Sequence, residues 1–303
     1  GELEELSQTV RQLKQEKDEN ESLLHTAGAS AVEIQRMFRG VLGRQAARMR
    51  RRQVASVRTI LRVARGHASR KKVAKLRAAL LVPFRHPEEA VAEIKRYAGD
   101  RRFIQILAIC MGDAPLGQRQ FWPIYKAASD AGFVLSIHPG SNYRHAPTQS
   151  GFMSYLVEEQ VNWSQGFASQ AASLLSEGVL TEFPDMKVVM AESGISWLFG
   201  VSWRMAKDWR GCRVEVPWLK EGPDKILERQ LRFTLQPFDL PVEPEEVAAV
   251  VECIGGPELL LYSSDFPHDH GPTAARWPNG LSADLANAIC RENVLATYPR
   301  LEV

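Results

Sequence analysis

Phe133-Val134-Leu135-Ser136-Ile137-His138-Pro139-Gly140 is a largely apolar run that ends on an imidazole and then breaks at Pro-Gly. A short stretch of this kind, bounded by turn residues, reads as a buried strand. Its last residue, His138, places an acid–base group at the strand's C-terminal end. Five more runs share the texture, over residues 79–84, 103–110, 187–191, 232–235 and 259–263. Between and after them lie amphipathic helical patterns over 87–98, 121–131, 167–183, 197–209, 243–254 and 283–298. Strict alternation predicts an α/β fold on a parallel sheet, either a barrel or a doubly wound sheet. The polar residues choose between them. His138, Glu192, Gln236 and Asp265 each fall at the C-terminal end of a predicted strand, the rim where barrels carry their chemistry. The expectation is a TIM-like (β/α) barrel.

Upstream of that alternation the chain changes character. Residues 34–77 hold fifteen Lys or Arg and no Asp or Glu; the whole chain carries +2, so the remainder carries −13. That asymmetry predicts two modules with different partners. Within the basic stretch, Ile34-Gln35-Arg36-Met37-Phe38-Arg39-Gly40-Val41-Leu42-Gly43-Arg44 fits the IQ pattern at every defining position: Ile34, Gln35, Arg39, Gly40 and Arg44. Ile34, Phe38, Val41 and Leu42 share one helical face and suit a Met-rich groove. The arginines around them suit acidic rims. The pattern recurs at Ile60, Leu61, Arg65, Gly66 and Arg70, with Leu61 in place of the Gln. The spacing predicts a helix that binds calmodulin or another EF-hand protein through residues 34–77. A solvated basic helix, a nuclear-localisation run and a nonspecific RNA binder remain the alternatives. Phe38 is the stretch's one aromatic, so it offers no stacking platform for single-stranded nucleic acid.

Residues 1–28 read as a short coiled-coil-like helix with Leu3, Leu6, Val10, Leu13 and Leu24 on one seam, or as a solvated helix that frays. Residues 29–78 form the basic helix and 79–303 the barrel module. No run of about 18 apolar residues predicts a membrane span. No secretory signal is visible, and the four cysteines form no close pair, so a reducing, cytoplasmic setting is expected.

Several segments of the barrel module stand in a telling order. They are Ser136-Ile137-His138-Pro139-Gly140, Ala191-Glu192-Ser193-Gly194 with Trp197-Leu198, Trp203-Arg204, Leu235-Gln236-Pro237, and Tyr262-Ser263-Ser264-Asp265-Phe266-Pro267-His268. From about residue 79 to the end the chain resembles the amidohydrolase-related family, a branch of metal-dependent barrels that holds hydrolases and nonoxidative decarboxylases. The resemblance implies a divalent ion, zinc or manganese, at the C-terminal mouth. By position it makes His138, on the fifth strand, and Asp265, on the eighth, metal ligands. Asp265, Glu192 and His268 become the proton-moving residues, and Arg204, Trp197 and Gln236 the pocket residues.

The family's first strand supplies an Asp/Glu-x-His or His-x-His pair, and no His-x-His lies upstream of Leu80. Six βα units, strands three to eight, are recognisable. The expectation is therefore an incomplete barrel, with the exposed strand edges covered by the basic helix or a second copy of the chain. Its function is hydrolysis or nonoxidative decarboxylation of a small carboxylate-bearing molecule. The other reading is a catalytically inactive scaffold whose arm recruits calmodulin. Two local alternatives stay open. Glu192 either serves the site or caps the helix that starts near Ile195. The aromatic-rich stretch 141–165 is either a substrate lid or a homodimer contact.

Overall fold

A computed structural model describes residues 76–140, 144–241, 243–266, 268 and 281–301. The coiled-coil-like helix and both IQ-like motifs, from Ile34 to Arg70, lie outside the described residues. Six strands form one sheet in sequence order: β1 Ala78–Leu81, β2 Phe103–Ile109, β3 Val134–His138, β4 Val188–Met190, β5 Leu231–Thr234 and β6 Leu260–Leu261. Every neighbouring pair is parallel. Each strand overlaps a predicted run, and β3, β4 and β6, buried on both faces along most of their length, write themselves as continuous apolar stretches.

Helices follow the strands: α1 Pro87–Tyr97, α2 Trp122–Asp130, α3 Leu156–Ser176, the short α4 Val179–Glu182, α5 Trp197–Cys212, α6 Pro223–Gln230, α7 Pro244–Cys253 and α8 Asn293–Thr297. A proline opens α1, α6 and α7, where its missing N–H costs nothing. Glu88 and Glu89 at the start of α1, and Lys95 and Arg96 at its end, complement the helix dipole.

Two helical expectations change. Helix α3 starts at Leu156, so residues 156–165 of the aromatic-rich stretch are helix rather than loop. Its entry is fixed by Glu158, whose Oε2 accepts from the Tyr155 N–H at 2.9 Å and the Ser154 N–H at 3.1 Å. Helix α6 was not anticipated. It lies immediately before β5 and buries Ile226 and Leu227.

The main core sits between one sheet face and the helices. Leu135, Ile137, Val188, Met190, Leu231 and Phe233 point into it and meet Phe167 and Leu174 of α3 and Ile226 of α6. The other face carries Val134, Val189 and Leu261, packed under Val294 of α8 and Tyr298. The C-terminal segment thus covers part of that face from within the chain. It is anchored at Arg300, which is 3% exposed. That guanidinium donates to the carbonyls of Phe103, Ala98, Ala131 and Asp100 at 2.6–2.9 Å and lies 4.1 Å over the Phe133 ring. Burial lowers its pKa. Tyr298 Oη donates to Gln105 Oε1 at 2.9 Å. Among the described residues β1 and β6 each pair on one side, so the sheet follows the barrel's order without closing.

Candidate functional site

His138 is the last residue of β3, where the strand leaves the core and the Pro139-Gly140 turn begins. Its Nδ1 donates to the carbonyl of Pro139 at 2.6 Å, which leaves Nε2 facing Oε1 of Glu192, also at 2.6 Å. The hydrogen bond to Glu192 raises the imidazole pKa above its ordinary 6.5; burial works against this, while the Pro139 carbonyl and the charges of Glu192 and Asp265 add to it.

Glu192 and Asp265 share a backbone feature. Their φ angles are +55° and +54°, and they are the non-glycine residues at positive φ among the described residues. A left-handed conformation costs a residue with a Cβ roughly 1–2 kcal/mol. Such strain persists where surrounding contacts enforce it, and it concentrates at functional sites. Asp265 Oδ2 stands 3.2 Å from Nδ1 of His268, and the His268 N–H donates to the Asp265 carbonyl at 2.9 Å. One ligand atom from each of Glu192, Asp265 and His268 lies within 4.8 Å of the others. Glu192 therefore joins His138 on one side to the Asp265–His268 pair on the other.

Polar contacts between strand ends hold this group. The Glu192 N–H donates to Thr234 Oγ1 at 2.9 Å, Thr234 Oγ1 to the Gln236 carbonyl at 3.3 Å, and the Gln236 N–H to Ser263 Oγ at 3.0 Å. This chain of bonds stitches the ends of β4, β5 and β6 together. Beyond Glu192, the Ile195 and Ser196 N–H groups and Ser196 Oγ donate to the Asp239 carboxylate at 2.8, 3.2 and 2.6 Å. The entry to α5 is thus capped from the loop after β5, and Glu192 is not its cap.

The remaining expected site residues make other contacts. Trp197 is a packing residue at the start of α5: its ring meets Phe233 edge-on at 5.7 Å and its Nε1 donates to the Ser193 carbonyl at 3.2 Å. Gln236 is buried, with its backbone engaged as described. Arg204 pairs with Asp208 one turn along α5, on an exposed face. Thr234 and Asp239 were missed by sequence reading. A second charged group on the same rim was missed as well: Asp113, after β2, pairs with Arg85, after β1, and with Nε2 of His145 at 3.2 Å. Burial, then the charges of Arg144 and Arg85, push the His145 pKa down.

The donor set suits a divalent cation. Zinc and similar ions bind imidazole nitrogen and carboxylate oxygen at about 2.0–2.2 Å, so two ligands of one ion stand at most about 4.4 Å apart. The Glu192–Asp265–His268 spread exceeds that by a few tenths of an ångström at most. Two carboxylates and an imidazole are borderline-to-hard donors of the kind that manganese and zinc accept. The set keeps Asp265 of the expected His138–Asp265 pair and has Glu192 and His268 in place of His138, which bonds to Glu192 instead.

The sequence profile of the amidohydrolase family matches residues 57–300 and begins inside the stretch read above as the basic helix. No curated protein matches the chain. Among solved structures, the chain is similar to an amidohydrolase from Mycobacterium avium subsp. paratuberculosis K-10, with 22% identity, a TM-score of 0.57, and coverage of 75% of this chain and 57% of that one. It is similar to 5-carboxyvanillate decarboxylase from Sphingomonas paucimobilis at 19% identity and TM-score 0.57, over 74% of this chain and 66% of that one. A dihydroxybenzoic acid decarboxylase from Polaromonas sp. JS666, whose structure carries manganese and the inhibitor 2-nitroresorcinol, gives 16% identity and TM-score 0.57, over 75% and 70%. The chain spans little more than half the length of the Mycobacterium protein. At these identities the likeness is one of fold.

Proposed function

The chain belongs to the amidohydrolase family, and from that premise we propose that it is a metal-dependent hydrolase or nonoxidative decarboxylase acting on a small carboxylate-bearing molecule. The observation that carries the proposal is the convergence of His138, Glu192, Asp265 and His268 at the C-terminal ends of β3, β4 and β6, with both carboxylates on left-handed backbone. The names of two similar structures, both decarboxylases of aromatic acids, support the substrate class.

Glu192, Asp265 and His268 would hold a divalent ion, manganese or zinc. When bound there, the ion supplies Lewis-acid polarisation of a substrate oxygen or of a water. The chain's own residues supply the rest. His138 holds a proton at Nε2 and is oriented by the Pro139 carbonyl. Glu192 accepts that proton's hydrogen bond and forms the path along which it moves. Asp265, whose side chain is 9% exposed, sits in a water-poor position, where a charge's field on a reacting group is strong.

The test is release of carbon dioxide from a panel of hydroxylated aromatic carboxylates by manganese-loaded protein. The proposal expects turnover with at least one member, reduced a hundredfold or more by Asp265→Asn. A protein that binds manganese and turns over none of the panel, nor any amide or lactone analogue, is the inactive scaffold of the other reading.

A further inference from the structure

The carboxylate that caps α5 comes from a different strand's loop, and its neighbour Glu192 is a carboxylate that sequence alone nominates for the same task. An N-cap side chain accepts from the N–H two or three residues onward. The N-cap of α5 is Ser196, so Glu192, four residues earlier, lies outside that range, and Asp239 takes the Ile195 and Ser196 donors. Gly194 makes room. It sits at φ +64°, and a Cβ on it would collide with the Asp239 carboxylate.

We propose that Asp239 is a positioning residue: by occupying the entry to α5 it keeps Glu192 turned toward His138 and Asp265. This rests on the metal-centre reading above. With Asp239 gone, the Ile195 and Ser196 N–H groups lose their acceptor, and the turn between Glu192 and α5 loses the contact that fixes it. The left-handed backbone at Glu192 persists only while its surroundings enforce it, so its carboxylate drifts from the cluster. Thr234 Oγ1 still holds the Glu192 N–H, so the loss is partial.

The experiment measures Mn(II) affinity of the full chain by calorimetry and by the free-ion EPR signal, well below the unfolding temperature, for wild type, Asp239→Ala and Asp239→Asn. Far-UV circular dichroism and a cooperative unfolding transition establish that each variant is folded. Asp239→Ala is expected to weaken Mn(II) binding at least tenfold. Asp239→Asn, which keeps one accepting oxygen, is expected to lose less. Combining Asp239→Ala with Glu192→Gln should weaken binding no more than Glu192→Gln alone, since both remove the same ligand.

A purely structural role lowers the unfolding temperature and leaves the affinity of the folded protein unchanged. Wild-type affinity in whichever variant folds therefore overturns the inference by itself. Absence of Mn(II) binding by the wild type overturns the metal-centre reading and this inference with it.

Discussion

Oε1 of Glu192 stands 2.6 Å from Nε2 of His138, across 54 residues of sequence, and reaches it from a left-handed backbone position. Because Nδ1 already donates to the Pro139 carbonyl, the proton between the two side chains lies on the Nε2–Oε1 line. A short carboxylate–imidazole contact of this kind favours the charged imidazolium. The pair can therefore hold a proton between the ends of β3 and β4.

The pH dependence follows with a definite sign. The folded-state pKa of His138 is raised above 6.5. Its contribution to stability is fully present below the unfolded-state value near 6.5 and is lost as pH rises through the folded pKa. Metal-free wild type should lose stability relative to His138→Gln as pH climbs above about 6.5. Chemical unfolding at several pH values checks this, and a gap between the two proteins that stays constant across the range contradicts it.

Glu192→Gln removes the first cause of that shift. The imidazole should then titrate closer to 6.5, followed by the pH dependence of its ring-proton NMR signals. Metal affinity should fall roughly 10–100-fold, the scale seen when a group next to or within a metal site is lost. A His138 titration that does not move shows that the contact is absent in solution.

Arg300 ties the C-terminal segment to the N-terminal ends of β2 and β3 through four backbone carbonyls. Arg300→Met keeps the apolar stem and abandons those acceptors. The expected loss is about 2–4 kcal/mol of unfolding free energy, from four part-buried carbonyls left without their donor. Urea unfolding reads it directly, and a loss under about 0.5 kcal/mol, the scale of an ordinary surface substitution, contradicts the anchor.

For the residues ahead of the sheet, we propose that the two IQ-like motifs bind calmodulin or a related EF-hand protein. Calorimetric titration with calcium-loaded and calcium-free calmodulin should show binding that Ile34→Asp combined with Arg39→Glu abolishes. No heat and no mobility shift in either calcium state removes the proposal.

The strands were legible because burial on both faces leaves an apolar signature, and His138, Glu192 and Asp265 were legible because each follows such a run. What sequence could not show are the partners. Nothing near Glu192 in the chain announces that Thr234 and Asp239 hold its turn, since both arrive from another strand end 42 and more residues away. Helix α6 was missed because its eight residues are mostly polar and lie tight against β5. Val294 and Tyr298 have an amphipathic spacing, but spacing does not say which face of the sheet they cover. Trp197 and Arg204 were assigned by family order. The structure makes one a packing residue and the other half of an exposed ion pair.

The central claim is that Glu192, Asp265 and His268 grip one divalent ion at the mouth of the sheet. Equilibrium dialysis of the purified protein against Mn(II), read by elemental analysis of metal per chain, tests it most directly alongside Asp265→Asn. The account predicts close to one ion per folded wild-type chain and a loss of most of that occupancy in the variant. A wild-type chain that retains no manganese or zinc, or a variant that retains as much as the wild type, contradicts it.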